Sequence, residues 1–194
     1  QGGTYGISAT NGFSFQDGLL KGATEAIAGG QDKVTAKPNG YEVSYRKETG
    51  SPSLEVAYLS QYPNYSVTKG GIKKFYVTLE RAYIGVVGIN NDSNSGTIVV
   101  EKTNTDDSIF TVANGKIVTI KTNGKTVVKT NHAIEVEAGG SLAITENGAM
   151  RTTTLESLIS NAGTLSITDA TIENANTSNN LYYTIVSTAG SITT

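Results

Sequence analysis

The chain has 194 residues, a formal net charge of -2, no cysteine and a single histidine. The absence of cysteine excludes a disulfide scaffold and thiolate ligands, and one histidine excludes a multi-histidine zinc centre. A near-neutral charge argues against nucleic acid as a partner, and no apolar run approaches the ~20 residues that span a bilayer. We therefore predict no metal, no cofactor, no nucleic-acid partner and no membrane span.

Residues 1–29 are predicted to form an N-terminal arm with one possible short helix, at residues 17–28. The apolar side chains of that segment fall roughly on one helical face: Leu19, Leu20, Ala23, Ile27 and Ala28. Gly29 and Gly30 would end the helix. Gly18 and Gly22 would each weaken it by up to ~1 kcal/mol.

Residues 30–85 are predicted to form a small antiparallel β docking domain built from two hairpins. The first alternates apolar and polar residues over 41–46 and again over 54–58, around a polar turn. The second joins residues 65–67 to residues 72–79 through Gly70 and Gly71. Within it we interpret Lys73 and Lys74 as a solvated pair.

The charge distribution places a boundary close to the end of these hairpins. Residues 1–75 carry 8 Lys+Arg and 6 Asp+Glu, a balance of +2, whereas residues 76–194 carry 7 and 11, a balance of -4. Glycine contributes 22 residues and charged residues make up only 16% of the chain. Recurrent short runs of Val, Ile, Thr and Tyr between Gly, Asn and Asp clusters predict an all-β fold.

Beyond residue 95 a glycine followed by a short β run recurs. The glycines are Gly96, Gly115, Gly140, Gly163 and Gly190, at spacings of 19, 25, 23 and 27 residues. We interpret each interval as one coil of about 20–30 residues, with short strands separated by sharp corners. One coil cannot bury its apolar face alone, so the coils are expected to stack.

The clearest repeats resemble a known family. Residues 158–171 (LISNAGTLSITDAT) and their echo at residues 185–193 (IVSTAGSIT) resemble the right-handed parallel β-helix repeats of phage fibres and spikes and of bacterial surface adhesins. Asp169 and Ala170 stand where a Gly-Gly pair is common in such repeats. The resemblance covers residues 96–194 and implies a short β-helix over residues 86–194, continuing further or capped by a partner.

A second interpretation is a pair of antiparallel β-sandwich domains. Asn114-Gly115 and Asn123-Gly124 open two near copies nine residues apart, and Asn-Gly is the strongest two-residue hairpin signal. Residues 108–130 would then form an antiparallel meander. Residues 191–194 stop partway through a repeat, so we expect either further chain or another subunit to cover this end.

Catalytic candidates are few. His132 stands beside a predicted strand with no motif around it, and we interpret it as an exposed corner residue. Asp106 and Asp107 are adjacent, so a loop is favoured over the paired acids of a glycosidase, which stand ~5–9 Å apart. Glu135 and Glu137 share one strand face, where a solvated surface is favoured over a calcium site. We predict that the chain is not an enzyme.

One polar aromatic cluster is a candidate binding surface. Tyr58, Gln61, Tyr62 and Tyr65 lie close together in the sequence. Tyrosine rings with amide neighbours are suited to contacts with a protein or a glycan. An ordinary turn with half-buried tyrosines is the alternative.

The sequence favours a structural role over a catalytic one. We expect a non-enzymatic subunit of a surface-projecting fibre, most simply a phage head or tail fibre protein. It would form a homo-oligomer, a trimer being favoured, dock on a capsid or tail, and lie extracellularly at the virion surface. The alternatives are a bacterial cell-surface adhesin that binds a glycan or a host protein, and a polysaccharide-degrading β-helix enzyme.

Overall fold

The computed structural model describes residues 3–61, 63–88, 90–130, 134–176 and 183–194. Over these residues the chain forms strands nearly throughout, with one α-helix and one 3-10 turn at Gly30–Lys33. The all-β class is therefore confirmed. An N-terminal part rich in antiparallel pairs is followed by a β-solenoid of stacked parallel strands. No helix among the described residues has the length and apolar character needed to cross a membrane.

The N-terminal part begins with two small parallel pairs that flank a larger sheet. Its strands are β1 (Tyr5–Ile7), β2 (Phe13–Ser14), β3 (Leu19–Gly22), β4 (Glu25–Ile27), β5 (Val34–Ala36), β6 (Glu42–Glu48), β7 (Leu54–Ser60), β8 (Tyr65–Lys69) and β9 (Ile72–Tyr76). Strand β1 pairs with β4 and β2 pairs with β5, both in parallel. The predicted N-terminal arm is thus tied to the fold through its strands.

The predicted helix at residues 17–28 is wrong. The segment forms β3, which pairs antiparallel with β7, and β4. Gly18 and Gly22 lower the stability of a helix in this segment. Pairing with β7 gives the backbone N–H and C=O groups of β3 hydrogen-bond partners, so the strand is favoured over the helix. A side chain at Gly22 would collide with the backbone of Gly6 and Glu25, so the close turn into β4 requires glycine.

Both predicted hairpins form. Strands β6 and β7 pair antiparallel over seven register positions. Strands β8 and β9 pair antiparallel across Gly70 and Gly71, whose φ angles are 59° and 81°. Two consecutive positive φ angles match the turn to the strand twist, and glycine adopts them without steric cost.

The second hairpin ends earlier than predicted, because an α-helix follows it. Strand β9 ends at Tyr76, and α1 spans Leu79–Val87. The Thr78 hydroxyl accepts a hydrogen bond from the Arg81 backbone N–H at 3.3 Å, and the Asp106 carboxylate accepts one from the Leu79 N–H at 2.7 Å. These contacts satisfy two of the unpaired N–H groups at the helix start.

The C-terminal part is a parallel β-solenoid of four coils, each with three strands, plus the first strand of a fifth. The strands are β10 (Ser95–Val100), β11 (Asn104–Thr105), β12 (Phe110–Val112), β13 (Ile117–Lys121), β14 (Thr126–Lys129), β15 (Ile134–Val136), β16 (Ser141–Thr145), β17 (Ala149–Thr152), β18 (Ile159–Asn161), β19 (Thr164–Thr168), β20 (Thr171–Asn174), β21 (Ile185–Ser187) and β22 (Ser191–Thr193). Each strand pairs in parallel with the strand at the same position in the next coil. The first, second and third strands of the coils therefore each form one parallel stack. The antiparallel alternative for residues 108–130 is therefore wrong.

The two Asn-Gly pairs lie at solenoid corners rather than in hairpin turns. They join β12 to β13 and β13 to β14, and neither junction connects strands that pair with each other. Asn123, Gly115 and Gly124 adopt positive φ angles of 51°, 75° and 66°. A sharp corner requires residues that tolerate a positive φ angle, as a hairpin turn does. An Asn-Gly pair is therefore typical of both structures and does not distinguish them.

The parallel register also corrects the predicted repeat at its first glycine. Gly96 pairs with Val118 inside a strand, so it is not a corner residue. The starts of β13, β16, β19 and β22 are in register at Ile117, Ser141, Thr164 and Ser191. The corner residues before them are therefore Lys116, Gly140, Gly163 and Gly190. Side chains at the last two would collide with the carbonyl oxygen of the preceding corner.

The core of the solenoid consists of stacked aliphatic columns. Ile98, Ile120 and Ile144 are in register in successive coils, and each is fully buried. Their neighbours in the strand alternate outward, as the period of two requires. The interior is therefore filled by side chains along the axis, as the apolar alternation in the sequence predicts.

One sheet joins the two parts of the molecule. Its ten strands run from β3 at one edge through β8 and β10 to β22 at the other. Strands β8 and β10 pair antiparallel, with Val67 opposite Ile98 and Tyr65 opposite Val100. Helix α1 packs against β10 and β12, and its Tyr83 ring lies 5.2 Å from the Phe110 ring. The first coil is thereby covered on its N-terminal side.

Candidate functional site

A cavity of about 260 Å³ lies in the N-terminal part, bounded by α1 and by strands β4, β6, β7, β8 and β9. Five cationic side chains line it: Arg46, Lys47, Lys69, Lys74 and Arg81. Three acidic side chains line it: Glu25, Glu55 and Asp92. The balance of five positive and three negative groups is +2, whereas the whole chain carries -2.

A buried ion pair lies in the wall of the cavity. The Lys74 ammonium is 2.9 and 2.8 Å from the two carboxylate oxygens of Glu55 and 3.5 Å from Glu25. The Lys74 and Glu55 side chains are only 14% and 11% exposed. Glu55 also accepts a hydrogen bond from the Ala26 N–H at 3.0 Å. The charge of Lys74 is therefore balanced within the protein.

Two buried tyrosines, Tyr45 and Tyr76, line the cavity. The rings of Tyr45 and Tyr76 are 6.2 Å apart, and Lys74 lies 4.9 Å from the Tyr45 ring centroid. Burial, followed by the negative charge of Glu55, raises the pKa of both hydroxyls far above the ordinary tyrosine range. Tyr45 is fully buried, and its hydroxyl has no hydrogen-bond partner among the described residues. An unsatisfied buried hydroxyl costs free energy.

Two arginines converge on one tyrosine beside the cavity. Arg81 donates a hydrogen bond to the Tyr58 hydroxyl at 2.8 Å. The guanidinium carbons of Arg46 and Arg81 lie 5.6 and 6.0 Å from the Tyr58 ring centroid. Tyr58 therefore holds both guanidinium groups in one place. Within the described part of the chain, neither arginine has a carboxylate within 4.0 Å.

The mouth of the cavity is marked by its exposed lining residues. Lys69 and Asp92 have side chains 56% and 64% exposed, and their charged groups are 3.6 Å apart. Asn90 beside them is also exposed. The cavity is therefore lined both by buried tyrosines and by residues exposed at the surface.

A second buried charge cluster lies where the solenoid meets α1. The Lys129 ammonium is 3.1 Å from the Asp106 carboxylate, and their side chains are 0% and 1% exposed. Asp106 also accepts hydrogen bonds from the Leu79 and Ser108 N–H groups. Burial raises the pKa of Asp106, but Lys129 and these hydrogen bonds outweigh it and hold the pKa below its usual value. Burial disfavours the charged form of Lys129 and therefore lowers its pKa.

The structure describes three of the four residues of the predicted tyrosine cluster and places them in different surroundings. Tyr65 is fully buried, and its hydroxyl donates to Asn104 at 2.8 Å, so its ring is not available at the surface. That this cluster binds a ligand stays a prediction. Gln61 is exposed, and Tyr58 is part of the arginine arrangement described above. Tyr62 lies outside the described residues.

The acidic candidates are not brought together as a catalytic pair. Asp106 is buried against Lys129, whereas Asp107 accepts a hydrogen bond from the Thr130 hydroxyl. Glu135 and Glu137 are exposed on the solenoid surface, where Glu135 accepts from Thr111 at 3.2 Å. Among the described residues no group of three His, Asp or Glu side chains could hold a metal ion. His132 lies outside the described residues.

The sequence analysis did not identify the charged residues of the cavity, although the strand period could have identified Lys74. Lys74 lies between Ile72 and Tyr76 in a strand of period two, so it must share their buried face. The interpretation of Lys74 as solvated is therefore wrong, while Lys73 is 45% exposed and pairs with Glu101. Arg81 had no comparable signal, because its helix was not predicted.

Comparison of the chain with protein-family models, with curated proteins and with solved structures finds no match.

Proposed function

We propose that this chain is a non-enzymatic structural subunit of a surface-projecting fibre, such as a phage head or tail fibre. Its N-terminal part would dock on a larger assembly, and its solenoid would form or begin the shaft. The resemblance of residues 96–194 to fibre and adhesin repeats supports this proposal. In this role the protein would lie outside the cell, at a virion surface.

The observation that carries the proposal is the ten-stranded sheet shared by both parts. A shaft must transmit force to its docking domain without bending at the junction. Here the junction consists of the β8–β10 ladder and of α1 packed on the first coil, rather than a linker. Domains joined only by a flexible linker move relative to each other by default, whereas a shared sheet removes that freedom.

Exposed apolar side chains in one connection of the solenoid support the expected self-association. The segment between the second and third strands carries Ile109 in the first coil, Leu155 in the third and Tyr183 in the fourth, which are 50%, 47% and 75% exposed. Ile109 lies one residue before Phe110, Leu155 four residues before Ile159 and Tyr183 two residues before Ile185, and these three strand residues are equivalent in the third sheet. The three side chains therefore lie in the same connection of different coils, at different positions along it.

We propose that a second copy of this chain covers these apolar side chains. Three copies with parallel solenoid axes, related by a common threefold axis, would each present these side chains to a neighbour and form a closed trimer. Each aliphatic side chain that becomes buried contributes about 1.5–3 kcal/mol, so two such residues per subunit have a measurable effect.

Light scattering after size-exclusion chromatography, over a wide range of protein concentration, tests this proposal. We expect a trimer that dissociates only on dilution. Ile109→Lys and Leu155→Lys should each raise the trimer dissociation constant at least tenfold, because a charge would be buried in the contact.

Ile117→Lys is the matched control. Ile117 is 55% exposed but lies at the start of β13, on a different sheet of the solenoid. It should leave the oligomeric mass unchanged. A monomer at every concentration, or equal effects of all three substitutions, would overturn the proposed assembly. Circular dichroism confirms that each variant is folded.

A further inference from the structure

We propose that Asn39 is a site of spontaneous deamidation, and that the Asn-Gly corners of the solenoid are protected from the same reaction. The chain contains five Asn-Gly pairs, whose asparagines are Asn11, Asn39, Asn114, Asn123 and Asn147. The inference rests on the hydrogen bonds that the structure gives to the glycine N–H group of each pair. It concerns a covalent modification and does not depend on the fibre role.

The reaction requires a free backbone nitrogen after the asparagine. That nitrogen attacks the side-chain Cγ atom, so an N–Cγ bond forms, the Cγ–Nδ2 bond breaks, and ammonia leaves with the proton of the attacking nitrogen. Water then opens the resulting cyclic imide to aspartate or isoaspartate, which adds one negative charge. Glycine favours the attack because it has no side chain to hinder it. A hydrogen bond donated by the N–H group opposes the attack, because it retains the proton and fixes the peptide plane.

The glycine N–H groups at the solenoid corners are all engaged. Each donates to an acceptor in the neighbouring coil: Gly115 to the Gly139 carbonyl oxygen at 3.1 Å, Gly124 to the Glu146 carbonyl oxygen at 2.9 Å, and Gly148 to the Thr122 hydroxyl oxygen at 2.9 Å. The stacking of the coils therefore protects these three asparagines. Exposure does not, because the side chains of Asn114, Asn123 and Asn147 are all exposed.

Asn39 lies in an open turn between β5 and β6. The Tyr41 N–H closes this turn on the Pro38 carbonyl oxygen at 3.2 Å, whereas the Gly40 N–H is not hydrogen-bonded to any residue that the structure describes. Asn39 and Gly40 are both exposed, and a Cβ atom added at Gly40 would meet no atom within 4 Å. The attacking nitrogen is therefore free, water reaches the site, and no packed neighbour opposes the movement of the peptide plane.

Asn11 is an intermediate case. The Gly12 N–H donates to the Ala9 carbonyl oxygen at 3.4 Å, which is a long hydrogen bond. A Cβ atom added at Gly12 would collide with the Lys33 carbonyl oxygen and the Thr35 side chain, so this turn is packed against the chain around β5. We therefore expect Asn11 to react more slowly than Asn39 and faster than the solenoid corners.

Peptide mapping by mass spectrometry tests this proposal on the intact chain, sampled over time in a mildly alkaline buffer at physiological temperature. The mass difference between an amide and an acid identifies each deamidated peptide. We expect Asn39 to react about tenfold or more faster than Asn114, Asn123 and Asn147, because the corners must first open locally. In guanidinium chloride the hydrogen bonds are lost, so the five pairs should then react at similar rates.

Thr122→Val tests whether the hydrogen bond itself protects a corner. The Thr122 side chain is fully buried, and valine keeps its shape but removes the oxygen that accepts from the Gly148 N–H. We expect deamidation of Asn147 to accelerate several-fold, while the rate at Asn114 in the same molecule stays unchanged. Thr119→Val is the matched control, because Thr119 lies in the same strand, β13, and does not accept from a glycine N–H. It should leave the rate at Asn147 unchanged.

The opposite outcomes are equally defined. Similar rates at Asn39 and at the three corners in the folded chain would overturn the proposal. The same order of rates in the folded and the unfolded chain would also overturn it, because the local sequence would then set the rates. Equal acceleration of Asn114 and Asn147 by Thr122→Val, or equal effects of Thr122→Val and Thr119→Val, would overturn protection by the individual N–H groups. Circular dichroism shows whether each variant is folded.

Discussion

At the scale of single residues, the buried pair of Asp106 and Lys129 connects the two parts of the molecule. Asp106 accepts a hydrogen bond from the first N–H of α1, and Lys129 belongs to the second coil. The Lys129 ammonium also donates to the Ser108 carbonyl oxygen. One carboxylate thus stabilises the start of the helix, a corner of the first coil and a buried ammonium at the same time.

We predict that Asp106→Ala lowers the free energy of unfolding by about 3–5 kcal/mol, because it leaves the Lys129 ammonium buried and unpaired. Asp106→Ala combined with Lys129→Met should cost less than Asp106→Ala alone, since no buried charge then remains. Urea denaturation followed by circular dichroism measures both. A double variant that is less stable than the single variant would contradict this account.

The pH dependence of the same pair has a defined sign. The pKa of Asp106 is lower in the folded chain than in the unfolded one. Its stabilising contribution is therefore fully present above the unfolded value near ~3.9 and is lost as the pH falls through the folded value. Lys129→Met removes the attraction that lowers this pKa. Acid unfolding of that variant should therefore have its midpoint at a higher pH.

At the scale of elements, the corner residue before the first strand of each coil decides whether coils can stack. Gly140 and Gly163 occupy this corner in consecutive coils, and a side chain at Gly163 would overlap the carbonyl oxygens of Gly140 and Glu137. In the second coil this corner is Lys116, which lies against Asn94 of the first coil. Its ammonium donates to the carbonyl oxygens of Asn91 and Ser93.

Gly163→Ala should therefore destabilise the chain by about 1–3 kcal/mol, as overpacking of a filled interior does. The neighbouring substitution Thr164→Ala is the control, since Thr164 is exposed and should change stability by less than ~0.5 kcal/mol. Thermal unfolding of the two variants side by side measures the difference. Equal melting temperatures would show that the corner tolerates a Cβ atom.

At the scale of the whole molecule, the shared sheet predicts that both parts unfold together. Burial raises the pKa of Tyr45, Tyr65 and Tyr76 far above the ordinary value near ~10. The folded chain therefore holds more protons than the unfolded chain once the pH exceeds that value. The stability these tyrosines contribute is present below pH ~10 and is lost as the pH rises further.

An alkaline titration measures this cooperativity. The chain has ten tyrosines and no tryptophan, so absorbance at the tyrosinate band reports ionisation without interference. We expect the exposed tyrosines to ionise first. The three buried ones should ionise in a later step that coincides with loss of the β signal of the solenoid. Ionisation of the buried group with the solenoid signal intact would contradict unfolding as a single unit.

The sequence by itself determined the features that depend on local period and turn chemistry. Alternation predicted the β6–β7 and β8–β9 hairpins, and recurrent glycines with aliphatic runs predicted the parallel solenoid. These signals are local, because a strand's buried face and a corner's positive φ are properties of a few consecutive residues.

The tertiary structure alone decided everything that depends on partners distant in the chain. Residues 17–28 form strands because β3 pairs with β7, which is distant in the sequence. The Asn-Gly pairs form corners instead of hairpins because the strands beside them pair with strands one coil away. Lys74 and Glu55 meet across the sheet, and Arg46 and Arg81 meet at Tyr58 from a strand and a helix. A charge in a sequence does not state its burial or its partner, so the cavity emerged only when the elements packed.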